Sequence, residues 1–248
     1  MYSRNRIYIT PQEQAAISSF HILLAGAGLG SVIAECALRL GFQRITIIDG
    51  DVVEESNLNR QNYTRQDIGV SKAEALKNRL LKIHPEAEIT AHHQFLTSEN
   101  ISQFINGVDA AINAIDFASD APFVFDQVCA TQGIPALHPY NLGWGACVFV
   151  VTNKSENLSY LSKNPQGFEL QFVNYMMEQL RQQGQNYPSY LAQAMQAYKN
   201  ETTQLPPPQL AVASWVVAGL CTDILFRLAT GKQVKLFPEF YFNQLNYS

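Results

Sequence analysis

Residues 20–72 read FHILLAGAGLGSVIAECALRLGFQRITIIDGDVVEESNLNRQNYTRQDIGVSK, and the order of apolar and polar positions within them decides the fold. Phe20 to Ala25 is a short apolar run closed by turn residues. Residues 31–40 repeat apolar positions at helical spacing, and Ile45 to Ile48 is a second apolar run ending at Asp49. Strand, Gly-rich turn, helix and strand in that order make a βαβ unit. Such a turn leaves backbone N–H groups free at the positive end of the helix dipole, where an anionic phosphate is stabilised. Asp49 follows the turn by about twenty residues, the separation at which a carboxylate reaches the ribose hydroxyls of a nucleotide.

The glycines do not fit a dinucleotide site. Over residues 25–30 the pattern G-x-G-x-x-G keeps glycine only at Gly30; shifted by one it finds Gly26, Gly28 and Gly30, at the wrong spacing for NAD. The polar stretch that follows also speaks against NAD. Asp49-Gly50-Asp51 leads into SNLNRQ (56–61) and GVSKA (69–73), which place Arg60 and Lys72 just beyond the ribose carboxylate. A triphosphate needs cations there to balance its charge. Lys72 opens a helix, where a cation opposes the dipole, so it calls for a neighbouring anion.

The run IDGDVVEESNLNRQ (48–61) followed by GVSKA resembles the signature of the ThiF/MoeB/HesA family, adenylyltransferases related to ubiquitin-activating enzymes. The resemblance covers about residues 1–152 and, more loosely, 206–242. It implies ATP and Mg²⁺ as cofactors. Gly26, Gly28, Gly30, Asp49, Asp51, Asn57 and Gln61 are then expected around the nucleotide, with Arg60 and Lys72 on the phosphates and Asp116 of NAID (113–116) on the metal. Tyr2-Ser3-Arg4 matches a family motif whose arginine reaches across a homodimer interface to the partner's phosphates. Ala25, Ala27 and Phe117 depart from the family pattern, which has glycine in the turn and Asn after the metal carboxylate. Bland readings stand beside each of these. Arg4 can be a frayed terminus, Asp116 a helix cap, Arg60 and Lys72 solvated charges, and Asn57 and Gln61 turn residues.

Bulk properties narrow the partners. Charged residues make up 15% of 248, with a formal net charge of −4 and a pI near 5.7, so no global basic field attracts nucleic acid or an anionic membrane. Cys36, Cys129, Cys147 and Cys221 form no C-x-x-C pair. That argues against a structural zinc and a disulfide framework, and for a cytoplasmic location. The polar N-terminus carries no signal-peptide pattern. The apolar stretch 210–229 contains Asp223 and Arg227 and follows three prolines, which predicts a buried core helix rather than a membrane span. The length suits one domain over 1–248, without room for a separate catalytic-cysteine or ubiquitin-fold domain.

The remainder alternates strand and helix. An arm and a helix fill residues 1–19; helices are predicted at 71–84, 98–106 and 120–132, and strands at 88–93, 109–115, 134–138 and 145–151. This pattern defines an α/β, Rossmann-like three-layer fold with a mostly parallel sheet, and the GACVFVV strand (145–151) starts an antiparallel extension. Residues 155–205 form a helical insertion, with Phe168, Phe172, Met176 and Leu180 marking one amphipathic helix and Tyr187, Leu191, Met195 and Tyr198 another. A helix over 209–230, capped by Gly231, and a strand over 237–242 close the chain. His21 and His138 read as satisfied core residues, and His92-His93 as strand positions lacking a third metal ligand.

The expected activity is attack of a substrate carboxylate on the α-phosphate of ATP, leaving an acyl adenylate for a second nucleophile. By resemblance the carboxylate is the C-terminal glycine of a small ubiquitin-like or sulfur-carrier protein, and the enzyme a homodimer. A tRNA threonylcarbamoyladenosine dehydratase-like enzyme and a catalytically silent partner subunit are the alternatives, the first leaving tRNA open as a partner.

Overall fold

The computed structural model describes residues 1–184, 188–203 and 205–245. Five strands, His21–Ala25 (β1), Arg44–Ile48 (β2), Glu88–His92 (β3), Ala110–Asn113 (β4) and Ala136–Asn141 (β5), pair in parallel; Gly145–Val151 (β6) and Tyr241–Gln244 (β7) add antiparallel to the β5 edge. The order is β3-β2-β1-β4-β5-β6-β7. This is the expected three-layer α/β architecture. Strands fed through crossover helices must be covered on both faces, which is why β1 and β4 are apolar at consecutive positions rather than alternate ones; β6, though antiparallel, is buried on both faces too.

Among the described residues, seven helices do the covering: Pro11–Ser19 (α1), Leu29–Leu40 (α2), Lys72–Ile83 (α3), Ala121–Thr131 (α4), Phe168–Gln182 (α5), Ser189–Lys199 (α6) and Ala211–Ala229 (α7). Alternation along β6 shows the two faces. Ala146, Val148 and Val150 join the core under α2, α3 and α7, while Cys147, Phe149 and Val151 join an aromatic core with Phe168, Phe172 and Met176 of α5. A third cluster sets Leu23, Ala25 and Ala111 against Phe125 and Cys129 of α4. By length and composition α7 is apolar enough to cross a membrane. Here it packs on the sheet and α2 through Val217, Ala218, Cys221, Ile224 and Leu225, and leaves Trp215 55% exposed.

Three predicted elements differ. Residues 98–106 hold only a 3-10 turn, Ile101–Gln103, because the Asn100 side chain bonds Thr97 N (2.8 Å) and Phe95 O (2.9 Å) and so fixes a loop where a longer helix was expected. The strand predicted at 134–138 runs to Asn141, through Pro139. The last strand starts at Tyr241 instead of residue 237, since Phe237 and Phe240 are drawn into the aromatic core and Pro238 offers no N–H for a ladder. Tyr187 of the second predicted stripe lies outside the described residues. All four cysteines are free, and Cys129, Cys147 and Cys221 are buried.

Candidate functional site

The sheet order reverses at β1, whose neighbours are β2 and β4, and the crevice beyond their carboxyl ends is where ligands of such sheets bind. Gly26 turns the chain there at φ 101°. Its N–H donates to Ile48 O (2.9 Å), and a Cβ would lie 2.5 Å from Ala114 O. Glycine is therefore required at this position by backbone from a neighbouring strand end. Ala25 and Ala27 are fully buried, so the two departures from the family pattern place their methyls in the protein interior. Gly28 caps α2; Ser31 N donates to Gly28 O (3.2 Å), and the amides of Leu29 and Gly30 keep the open donors of a helix start.

Asp49, at the end of β2, accepts from Ala27 N (2.6 Å) and Asp51 N (2.8 Å). Burial raises its pKa, against those two hydrogen bonds and the charge of Lys72. Two of its acceptor positions are thus taken by backbone and the others remain. Lys72, the first residue of α3, is 9% exposed and sets Nζ 2.9 Å from Asp51 Oδ2. Its predicted anion is that carboxylate. Tyr63 ties the parts together, donating to Ala27 O (2.8 Å) and lying 3.2 Å from Lys72 O; burial pushes its phenol far up, so it stays a donor.

Arg60 donates through Nη1 to Ser56 O (2.9 Å) and Asn59 Oδ1 (2.8 Å), and through Nε to Gln209 Oε1 (2.6 Å). Burial lowers its pKa and the charge of Asp116 opposes that. Asp116 follows β4 at the open mouth of the crevice. Its carboxyl is raised by its surroundings' desolvation and then by Asp51, while Lys72 and Arg60 pull it down. Asp49, Asp51, Arg60, Lys72 and Asp116 therefore converge on one crevice. Asn57 serves the loop: buried, it accepts from Glu54 N through Oδ1 (2.9 Å). Gln61 borders the turn, with Nε2 3.3 Å from where a Cβ on Gly28 would sit. Gly30 has room, since a Cβ there meets Leu24 only at 3.7 Å.

Arg4 is not brought to this site. Tyr2 Oη donates to Leu38 O (2.9 Å) and Asn5 Nδ2 to Leu40 O (2.7 Å), which docks the arm on the last turn of α2. The Gly-rich turn is at the helix's other end, about 15 Å away at 1.5 Å per residue. Among the groups that sequence reasoning missed, Tyr63 and Gln209 show no signal beyond lying near the motifs. Phe117 explains its own departure: it stacks on Phe168 at 4.6 Å and 19°, holding α5 over the Asp116 loop.

The three carboxylates Asp49, Asp51 and Asp116 outnumber the cations Lys72 and Arg60, so the crevice has no excess positive charge for a triphosphate, and a divalent cation would supply it. The Asp116 carboxylate is a hard oxygen donor suited to Mg²⁺ alongside phosphate and water. Among the described residues no group of three or more His, Cys, Asp or Glu is arranged to hold a metal alone.

A crevice at the topological switch point of a mostly parallel sheet, bordered by a Gly-rich turn, carboxylates and two cations, defines a doubly wound α/β protein. The chain belongs to the ThiF family, whose model matches residues 2–247. It is 33% identical over 153 residues to the sulfur carrier protein ThiS adenylyltransferase of Bacillus subtilis (59% of this chain, 44% of that one). To the tRNA threonylcarbamoyladenosine dehydratase of Escherichia coli it is 39% identical over 99 residues (39% and 37%). The chain thus matches less than half the length of both relatives. The crystal structure of E. coli MccB with ATP superposes with TM-score 0.67 and 16% identity, over 94% of this chain and 66% of that one, a likeness of fold.

Proposed function

We propose that the protein is an ATP-dependent adenylyltransferase that activates a substrate carboxylate as an acyl adenylate. The observation that carries this reading is the convergence of Lys72, Arg60 and Asp116 beyond the Asp49 turn. A carboxylate nucleophile is already ionised at neutral pH, so the protein's work is alignment and charge compensation rather than proton removal. Asp49 takes the ribose hydroxyls with its remaining acceptors. Gly26 and Gly28 bring backbone close to the phosphates. Lys72 and Arg60 stabilise charge on the departing pyrophosphate. Asp116 would hold Mg²⁺, which supplies charge neutralisation between the phosphates when bound.

Cys129, Cys147 and Cys221 are buried, with thiol pKa values pushed up by desolvation, so we take them as structural and the second nucleophile as external. The carboxylate most in keeping with the relatives is the C-terminal glycine of a ubiquitin-like or sulfur-carrier protein, and the assembly a cytoplasmic homodimer. A second reading, activation at a modified tRNA adenosine, draws on the 39% identity to the dehydratase, against the net charge of −4. Calorimetric titration with ATP–Mg²⁺ and with NAD tests the nucleotide, and tighter NAD binding sinks the proposal. Pyrophosphate exchange driven by carrier proteins or by modified tRNA then separates the two readings.

A further inference from the structure

The Arg60 guanidinium is held by one contact from outside its own loop. Nη1 donates to Ser56 O (2.9 Å) and Asn59 Oδ1 (2.8 Å), both in the turn that carries the arginine, whereas Nε donates to Oε1 of Gln209 (2.6 Å), 149 residues further on. A guanidinium carries its N–H groups in one rigid plane, and those on Nη2 make no hydrogen bond among the described residues. Fixing Nε and Nη1 fixes that plane. The direction in which Nη2 points is therefore set by the turn on one edge and by Gln209 on the other.

Gln209 is itself seated from both sides. Its backbone oxygen lies 3.4 Å from Asn59 Nδ2. Leu210, the next residue, donates its N–H to Asn141 Oδ1 (3.3 Å) and accepts from Asn141 Nδ2 (2.8 Å) at the carboxyl end of β5, and α7 begins at Ala211. Pro206, Pro207 and Pro208 come before it, each with φ held by its ring. Little freedom is left to the backbone that carries the Gln209 amide. That amide is also neutral. A carboxylate in its place would form an ion pair with the guanidinium and offset the charge a phosphate needs, whereas an amide oxygen orients the group and leaves its charge intact.

We propose that Gln209 is a positioning residue for recognition of the nucleotide's β- and γ-phosphates, holding the Arg60 guanidinium so that its free Nη2 donors meet them. The inference rests on the adenylation reading above and extends it to a segment far from the loop motifs in sequence. Gln209 acts through Arg60 and touches no ligand itself. Its effect is therefore confined to ligands with phosphates beyond the α-phosphate, and it disappears when Arg60 is absent.

The test is calorimetric titration of ATP–Mg²⁺ and of AMP into the wild type, Gln209→Met, Arg60→Ala and the double variant. Methionine keeps the unbranched shape of glutamine and removes the acceptor. Gln209→Met should weaken ATP–Mg²⁺ about tenfold, the size expected for a hydrogen bond to a charged group, and leave AMP within about twofold. In the Arg60→Ala background the same substitution should change neither ligand, a non-additivity that packing alone does not produce. Equal weakening of ATP–Mg²⁺ and AMP, or the same loss with and without Arg60, shows a merely structural role and overturns the proposal, as does unchanged ATP–Mg²⁺ binding by Gln209→Met. An Arg60→Ala protein that binds ATP–Mg²⁺ as the wild type does also overturns it, and leaves the nucleotide site standing. If the wild type binds neither ATP–Mg²⁺ nor AMP, the adenylation reading itself falls and takes the proposal with it.

Discussion

Lys72 Nζ lies 2.9 Å from Asp51 Oδ2, with the lysine buried and the aspartate half open to solvent. This pair fixes the cation at the start of α3, where the helix dipole disfavours it, and holds it next to the turn that carries Asp49. On the proposed adenylation reading, a phosphate would meet a lysine already in place and compete with Asp51 for it.

Asp51→Asn therefore leaves a mostly buried ammonium without its counter-charge. The unliganded protein should lose about 1 kcal/mol, a value discounted for the exposure of Asp51. Saturating ATP–Mg²⁺ should recover most of that loss, because phosphate replaces the carboxylate. Thermal melts with and without nucleotide check this; an equal deficit in both states would mean that Lys72 does not reach the phosphates.

Gly26→Ala sets a Cβ 2.5 Å from Ala114 O at φ 101°. Backbone on both sides cannot give way cheaply, so a loss of about 2 kcal/mol or more is expected, together with loss of ATP binding. Gly30→Ala, whose Cβ meets only Leu24 at 3.7 Å, should fold and bind normally. Denaturant melts of the two variants compare them directly.

Carboxylates divide into two groups by the sign of their pH effect. Glu35, 3% exposed, feels desolvation as the largest influence, yet hydrogen bonds from Arg79 (2.6 Å) and Arg39 (2.9 Å) outweigh it and lower its pKa. Its stabilisation is full above the ordinary carboxylate pKa and is lost as pH falls through the lower folded value. Asp116 is raised, chiefly by desolvation, so the folded state holds its proton longer and stability falls as pH rises through the folded value. Glu35→Gln should lower the melting temperature at pH 7, by about 2 kcal/mol equivalent, and progressively less as pH falls below the ordinary carboxylate range. Asp116→Asn, at a residue exposed to solvent, should leave the melting temperature within about 1 °C of the wild type at pH 7 while abolishing pyrophosphate exchange.

The βαβ core and the cationic loop were legible because short-range rules govern them: apolar runs, turn residues and a charge set against a helix dipole. Asp49, Arg60, Lys72 and Asp116 meet as the strand order requires. What sequence could not show depended on competition between local options or on packing between distant segments. Asn100 turned a predicted helix into a loop through bonds only a few residues away, and competition between local options is poorly resolved by periodicity. Phe117 looked like a defect until Phe168, some fifty residues on, was seen stacked against it.

The placement of Arg4 yields the last prediction. The arm is tied by Tyr2 and Asn5 to the carboxyl end of α2, while the site opens at the amino end of the same helix. An arginine side chain spans about half of that helix length, so Arg4 cannot reach its own chain's phosphates without releasing the arm. If it acts, it acts on a second subunit. Removing such an arginine should cost about 10³ to 10⁵ in kcat, by analogy with arginine fingers supplied in trans. Arg4→Ala and Arg60→Ala proteins, each inactive alone, should regain activity on mixing, because a heterodimer contains one site with both arginines intact. Recovery approaching half the activity of that dimer's wild-type equivalent is expected once subunits have exchanged. Demonstrated exchange without recovery would show that Arg4 plays no part across the interface.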